Sequence, residues 1–370
     1  GKFVPAASGK TFLTTNPANG EVVGEIAEGD AADIDRAVAA ARACYENVWS
    51  QIPVQERGKL LMRVAKLLQD RMMDIASVES LDMGGPQMWT VGTAMQAVDV
   101  FEYWAGMASK IQGEVNPSMM PGESLNYVLR EPLGVVGGIT PWNGPLIMAA
   151  WKTAPAIACG NAVVLKPAEV SPMSALELAR LFQEAGAPDG LFNVVPGYGP
   201  TAGAALAAHP DVDKIAFTGE TSTGQEVARG AISNLKLVTL ELGGKSPHII
   251  FDDVDVDRAV ANAMFGIFTN CGQICTSGSR IFVHERIHDE FVEKLVARAK
   301  AIRIGDPFDP MTQLGPLVSQ EQFDRVSSYV KIGREEGAKM LCGGKRPDGA
   351  QYAKGQYFEP TVFVDVDNRM

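Results

Sequence analysis

From Leu133 onward the chain alternates short apolar runs with amphipathic stretches. Runs at Val135–Thr140, Ala162–Lys166, Phe192–Val195, Lys214–Thr218 and Lys236–Glu241 have strand-like composition and are too short for helices. Between them, Leu146–Ala158, Pro172–Ala185, Thr201–Ala208 and Ser222–Ile232 have a helical pattern. Apolar strands joined by helical crossovers predict a parallel sheet covered on both faces. Ser171 before Pro172 predicts a helix start with a capping hydroxyl. Ligands of such sheets gather beyond the carboxyl ends of the strands, so the residues just after each strand carry the functional expectation.

Ahead of this block, Thr11–Leu13 and Val22–Ile26 flank the turn residues Asn16–Gly20 and predict a strand pair. Helical periodicity follows over Ala31–Val48, Pro53–Arg71 and Thr90–Ile111, with Met72, Met73, Met83, Met88 and Met95 expected as core filler. Gly113–Glu131 is broken by Pro117, Pro121 and Gly122 and reads as an extended hairpin, which must pair with something or aggregate. We therefore expect a subunit-contact arm there. Beyond His248 a second α/β block is predicted, with Asp253–Asp257 capping a helix near Val256, helices at Ile287–Ala301 and Gln320–Gly337, and a strand at Thr361–Asp365.

Composition narrows the function classes. At 370 residues and 46% hydrophobic, the chain supports more than one core. The net charge of −11 argues against nucleic acid or an anionic membrane as partner. The most apolar region, 145–165, is interrupted by Lys152, Pro155 and Gly160, so no membrane span is expected. Five cysteines without framework spacing suggest a reducing compartment, the cytoplasm, although the start at Gly1 leaves a processed leader open. No Cys-x-x-Cys pair occurs and no metal site is expected.

The chemistry-bearing candidates stand where the strands end. Asn143, in Thr140-Pro141-Trp142-Asn143-Gly144-Pro145, is either a turn-forming amide or a functional donor. Lys166 and Glu169 are either a solvated pair or the place where a nucleotide ribose lies. Gly197–Gly203 resembles a dinucleotide fingerprint with one residue too many, and Gly219–Gly224 leads into a helix whose amino end suits pyrophosphate. Glu241 closes the fifth strand before a double-glycine bend. Separately, Phe268–Arg280 places Cys275 among turn-forming residues between a helix pattern and a strand, with Cys271 expected to pack. A lone cysteine is more often a small buried hydrophobe than a nucleophile.

Taken together, Pro141-Trp142-Asn143, Lys166-Pro167-Ala168-Glu169, Phe217-Thr218-Gly219, Leu240-Glu241-Leu242-Gly243-Gly244-Lys245 and Gly272-Gln273-Ile274-Cys275 resemble, in order and rough spacing, the NAD(P)-dependent aldehyde dehydrogenase superfamily. The resemblance runs from Phe12 to Val364 and implies a parallel-sheet cofactor domain (1–112 and 132–242), an oligomerisation arm (113–131) and an α/β catalytic domain (243–370). By it, Cys275 is the nucleophile, Asn143 an oxyanion donor and Glu241 a partly desolvated base with a raised pKa. Ile139, Trp142, Lys166, Glu169, Gly203, Gly219 and Glu220 would border the cofactor, and Met148, Trp151, Ile274 and Thr276 the substrate tunnel. NAD is favoured, because Glu169 would repel a 2′-phosphate, while Lys166 leaves room for NADP. The implied activity oxidises an aldehyde to a carboxylic acid in a homodimer or homotetramer. A CoA-acylating reaction and a catalytically silent binding or structural protein are the alternatives. Two residues depart from the family pattern: Glu220 stands where many relatives have serine, and Gly144 where an aromatic residue often follows the asparagine. The chain ends at Met370, ahead of the family's later Glu-Glu-Ile-Phe-Gly-Pro motif.

Overall fold

The computed structural model describes residues 1–370. The chain divides into two compact units, the first of residues 1–12, 27–75 and 93–241 and the second of residues 13–26, 76–92 and 242–370.

β1 (Thr11–Thr15) and β2 (Val22–Ala27) form a two-stranded sheet. Its turn is closed by Asn16, whose carbonyl accepts from the Gly20 N–H at 2.7 Å and whose side chain accepts from Ala18 at 2.9 Å. α1 (Ala31–Asn47) begins with a capping box between Asp30 and Asp33. α2 (Val54–Asp70), α3 (Met72–Met83) and α4 (Gln87–Met107) follow. The methionines correct one expectation. Met83 is fully buried, but Met73, Met88 and Met95 are exposed. On α4 the inward stripe is Ala94, Ala97, Val98 and Phe101, all buried, which leaves Met88 and Met95, seven residues apart, on the outward face.

The expected arm is a hairpin of β3 (Glu114–Asn116) and β4 (Asn126–Val128), antiparallel, with Val115 opposite Tyr127. Its second strand is shorter than the apolar run 125–130 predicts, and every residue of both strands is exposed.

The central sheet of the first unit contains β5 (Val135–Ile139), β6 (Ala162–Lys166), β7 (Phe192–Val194), β8 (Lys214–Gly219) and β9 (Leu237–Leu242) in the order β7-β6-β5-β8-β9. β5 pairs in parallel with β6 and β8, and β6 with β7. The intervening helices are α5 (Pro145–Ala158), α6 (Met173–Glu184), α7 (Ala204–Ala208, after a π-helical turn at Gly199–Gly203) and α8 (Thr221–Ala231). Two central glycines show how closely both faces are covered. A Cβ on Gly137 would meet Leu206 of α7 at 3.2 Å and Ile215 at 2.6 Å, while one on Gly138 would meet Leu165 at 2.7 Å and Lys152 of α5 at 3.6 Å. Successive strand residues point to opposite faces, so α5 and α7 cover opposite sides of a three-layer unit.

The start of α6 corrects a second expectation. Ser171 does not cap it; its hydroxyl donates instead to the Trp142 carbonyl at 3.3 Å, and Pro172 holds the cap position.

In the second unit β10 (Pro247–Ile250) pairs in parallel with β11 (Arg280–Val283). Between them runs α9 (Val256–Phe268), capped as expected by Asp255, which accepts from the Arg258 N–H at 2.8 Å. α10 (His288–Lys300), α11 (Gln320–Glu335, capped by Ser319) and the antiparallel pair β12 (Lys339–Cys342) and β13 (Val362–Val364) complete it. Its main core gathers Ile250, Val260, Ala263, Phe291, Leu295 and Val362.

Candidate active site

Parallel pairing fixes where the first unit's candidates stand. Ile139 is in register with Lys166 on one side and Phe217 on the other, so β5 and β6 end at one level while β8 runs two residues further, to Gly219. Trp142 and Asn143 follow the end of β5 and Glu169 that of β6, while Gly219 closes β8 and Glu220 follows it. The Thr140 N–H donates to the Lys166 carbonyl at 3.1 Å and extends the ladder by one residue. Through Ser171, the loop after β6 holds the backbone of Trp142.

Lys166 is buried and its ammonium lies 2.9 Å from a Glu169 carboxylate oxygen, with the Glu169 side chain one-third exposed. Burial of an ammonium is tolerated here because it is paired. A Cβ on Gly203 would lie 3.8 Å from the Lys166 stem, which places Gly203 beside this pair. At α8 the Glu220 side chain makes no capping bond to the first-turn N–H groups. A dinucleotide suits this set: a carboxylate for ribose hydroxyls, a glycine for close approach and a helix amino end for pyrophosphate.

On α5, Met148 is half-buried and Trp151, one turn on, is 51% exposed. Trp151 and Pro155 share an open cavity of about 450 Å³ with Asp99, Val100, Tyr103 and Trp104. Glu241 is exposed, contrary to the desolvation expected of it. The reason lies in β9, an edge strand whose residues alternate between exposed and half-buried and which points Glu241 outward.

Lys152, which in the sequence only interrupts an apolar run, is a buried charge in the same unit as these candidates. Its side chain is buried and its Nζ donates to the Thr218 hydroxyl at 2.6 Å. Burial pulls the Lys152 ammonium down to about 8, against the opposing pull of the Glu241 carboxylate, while Lys214 lowers it slightly further. The available signal was a charge inside a helix that must cover a buried parallel sheet.

Cys275 lies in the second unit. It is half-buried, as is Ile274, and Thr276 beside it is exposed. A Cβ on Gly244 would meet the Cys275 carbonyl at 3.5 Å, so the double-glycine bend runs beside the cysteine loop. The loop is entered through three consecutive left-handed residues, Asn270, Cys271 and Gly272, with φ of 49°, 59° and 73°. For the two that are not glycine this costs about 1–2 kcal/mol each. Cys271 is the packing residue the sequence predicts. Its Sγ lies 3.2 Å from the Gly315 carbonyl, and burial pushes its thiol up to about 12 against that hydrogen bond.

A profile described as the aldehyde dehydrogenase family matches residues 3–370. The chain belongs to the aldehyde dehydrogenase family. It is 50% identical to the mitochondrial benzaldehyde dehydrogenase of Antirrhinum majus, over 100% of this chain and 69% of that protein. It is 49% identical to the mitochondrial aldehyde dehydrogenase of Homo sapiens, over 99% of this chain and 70% of that protein. Among solved structures, betaine aldehyde dehydrogenase from Staphylococcus aureus in complex with NAD+ superposes with a TM-score of 0.98 at 39% identity, covering 100% of this chain and 73% of that one. This aldehyde dehydrogenase has the family's α/β fold and oxidises an aldehyde to a carboxylic acid with NAD. No helix is long and apolar enough to cross a membrane.

Proposed function

We propose that Cys275 is the nucleophile of this oxidation, Asn143 an oxyanion donor and Glu241 the base for the water that releases the product. An aldehyde carbon cannot lose hydride until electrons are pushed into it. The Cys275 thiolate adds to the carbonyl, and the resulting oxyanion is stabilised by the Asn143 amide and the Cys275 N–H. When bound, NAD supplies the hydride acceptor. What remains on Cys275 is a thioester. Glu241 takes a proton from water, the hydroxide expels the thiolate, and the carboxylic acid leaves. An exposed Glu241 is open to the water it must activate, and Lys152, whose charge acts on it, is a second proton-holding group in the same unit.

The register row through Ile139, Lys166 and Phe217 supports the cofactor reading. On it we assign Lys166 and Glu169 to the adenosine ribose, the backbone from Gly219 to the pyrophosphate, and Ile139, Trp142, Gly203 and Glu220 to the border of the dinucleotide. Met148, Trp151, Ile274 and Thr276 are assigned to the substrate channel. We divide the chain functionally into a cofactor domain (1–112 and 132–242), an arm (113–131) that joins subunits of a dimer or tetramer, and a catalytic domain (243–370). Five free thiols favour a reducing compartment, which we take to be the cytoplasm; import of a tagged full-length protein into mitochondria, as several relatives' names suggest for them, would overturn that assignment.

Rapid mixing with aldehyde and NAD tests the chemistry. Glu241→Gln should release about one NADH per site in a burst and then stall, and Cys275→Ala should give none. An undiminished steady rate in Glu241→Gln would remove that residue from its role.

A further inference from the structure

The three left-handed residues ahead of Cys275 need something to hold them, and one side chain does so from both directions. The Gln273 N–H and its Nε2 both donate to the Asn270 carbonyl, at 3.0 and 3.2 Å, which closes the turn on itself. Its Oε1 accepts from the Val318 N–H at 3.1 Å, 45 residues further along. The segment Gly315–Val318 is buried, the Leu317 N–H donates to the Gln356 carbonyl at 2.9 Å, and Cys271 rests its thiol on Gly315. Gln273 thus ties a strained turn to an anchored stretch of backbone, two residues before the reactive sulfur.

We propose that Gln273 is a positioning residue for Cys275. Its amide sets the direction of the backbone through residues 273–275, and with it the aim of both the thiol and the N–H of Cys275. This inference rests on the reading of Cys275 as nucleophile. Every contact it uses lies within the second unit.

Positioning and mere structural support predict different results. Acylation needs the sulfur, the N–H and the bound aldehyde in mutual alignment, and a displacement of about 1 Å costs up to about a hundredfold. Alkylation of the same sulfur by iodoacetamide needs no such alignment. In the full enzyme, Gln273→Met, which removes both the acceptor and the donor, should slow the NADH burst at least about tenfold on this scale. Alkylation of Cys275, followed on its own peptide by mass spectrometry, should change by less than about threefold, because it depends on thiolate fraction and access. Gln273→Glu keeps an oxygen for the Val318 N–H and should recover part of the lost burst rate.

A burst in Gln273→Met within about twofold of the unaltered enzyme would overturn the proposal, as would equal losses of acylation and alkylation, or a Gln273→Glu variant no faster than Gln273→Met. Steady turnover that survives in Cys275→Ala would overturn the nucleophile reading and this proposal with it. An intact burst that ignores Gln273 would overturn this proposal alone.

Discussion

Lys152 offers the sharpest thermodynamic test of the structure. Its ammonium is buried against the sheet and bonded only to the Thr218 hydroxyl, and burial lowers its pKa from 10.5 to about 8. At about 1.4 kcal/mol per unit, that fall amounts to about 3 kcal/mol by which the folded state disfavours the charge. Below about pH 8 both folded and unfolded chains hold the proton, and the full penalty is present. Between pH 8 and 10.5 the folded chain has lost a proton that the unfolded chain keeps, so stability rises with pH across that window. Cys44, pushed up to about 11 mainly by burial, acts oppositely: its contribution is full below about 9 and is lost as pH rises through about 11.

Comparison with Lys152→Met cancels such common contributions. Methionine has nearly the volume of lysine and removes the titrating group. Urea denaturation of both proteins in reductant, followed by tryptophan fluorescence at pH 7.5, 9 and 10.5, should show the unaltered protein gaining about 3 kcal/mol on the variant from the first pH to the last. Curves that stay parallel within about 0.5 kcal/mol would mean that Lys152 titrates alike in both states, and the buried geometry would be refuted.

Asn143→Ala should lower the burst rate by about 10² to 10³, the cost of one oxyanion donor, in stopped-flow mixing with aldehyde and NAD. Glu169→Gln should raise kcat/KM with NADP relative to that with NAD, since a carboxylate no longer faces the 2′-phosphate; steady-state kinetics with both cofactors checks this. Replacing Val115 and Tyr127, exposed partners across the arm hairpin, by glutamate should shift the enzyme toward monomers in sedimentation velocity, with the melting of the rest unchanged.

Most of the sheet was legible because its strands announce themselves by two independent features, apolarity on both faces and regular helical interruption. All five strands of the central sheet fall within one residue of the runs that predict them. The failures have separate origins, each in context that local sequence does not carry. Ser171 has the residue type and the following proline of a helix cap, yet its hydroxyl is taken by the Trp142 carbonyl from another loop. Met88 and Met95 match a helical repeat, but the repeat that faces inward on α4 is an alanine-rich one. Hydrophobicity alone did not separate the two faces. Glu241 could be placed at a strand end, but its exposure depends on β9 being an edge strand, which follows from sheet order and not from local sequence.

Two kinds of constraint therefore act on the proposed site. Register positions the residues assigned to the cofactor: with β5, β6 and β8 aligned at Ile139, Lys166 and Phe217, the loops that follow have little freedom in where they begin. The cysteine loop has no such ladder under it. It leaves α9 at Phe268 and reaches β11 only at Arg280, and in between its path is fixed by left-handed backbone, a thiol on Gly315 and the two-way bonding of Gln273. A loop held by a few long-range bonds can be re-aimed by a single substitution in a way that a parallel ladder cannot. Substitutions near Cys275 should accordingly alter catalysis at little cost in stability, whereas equal changes along β5 should unfold the first unit before they alter its chemistry.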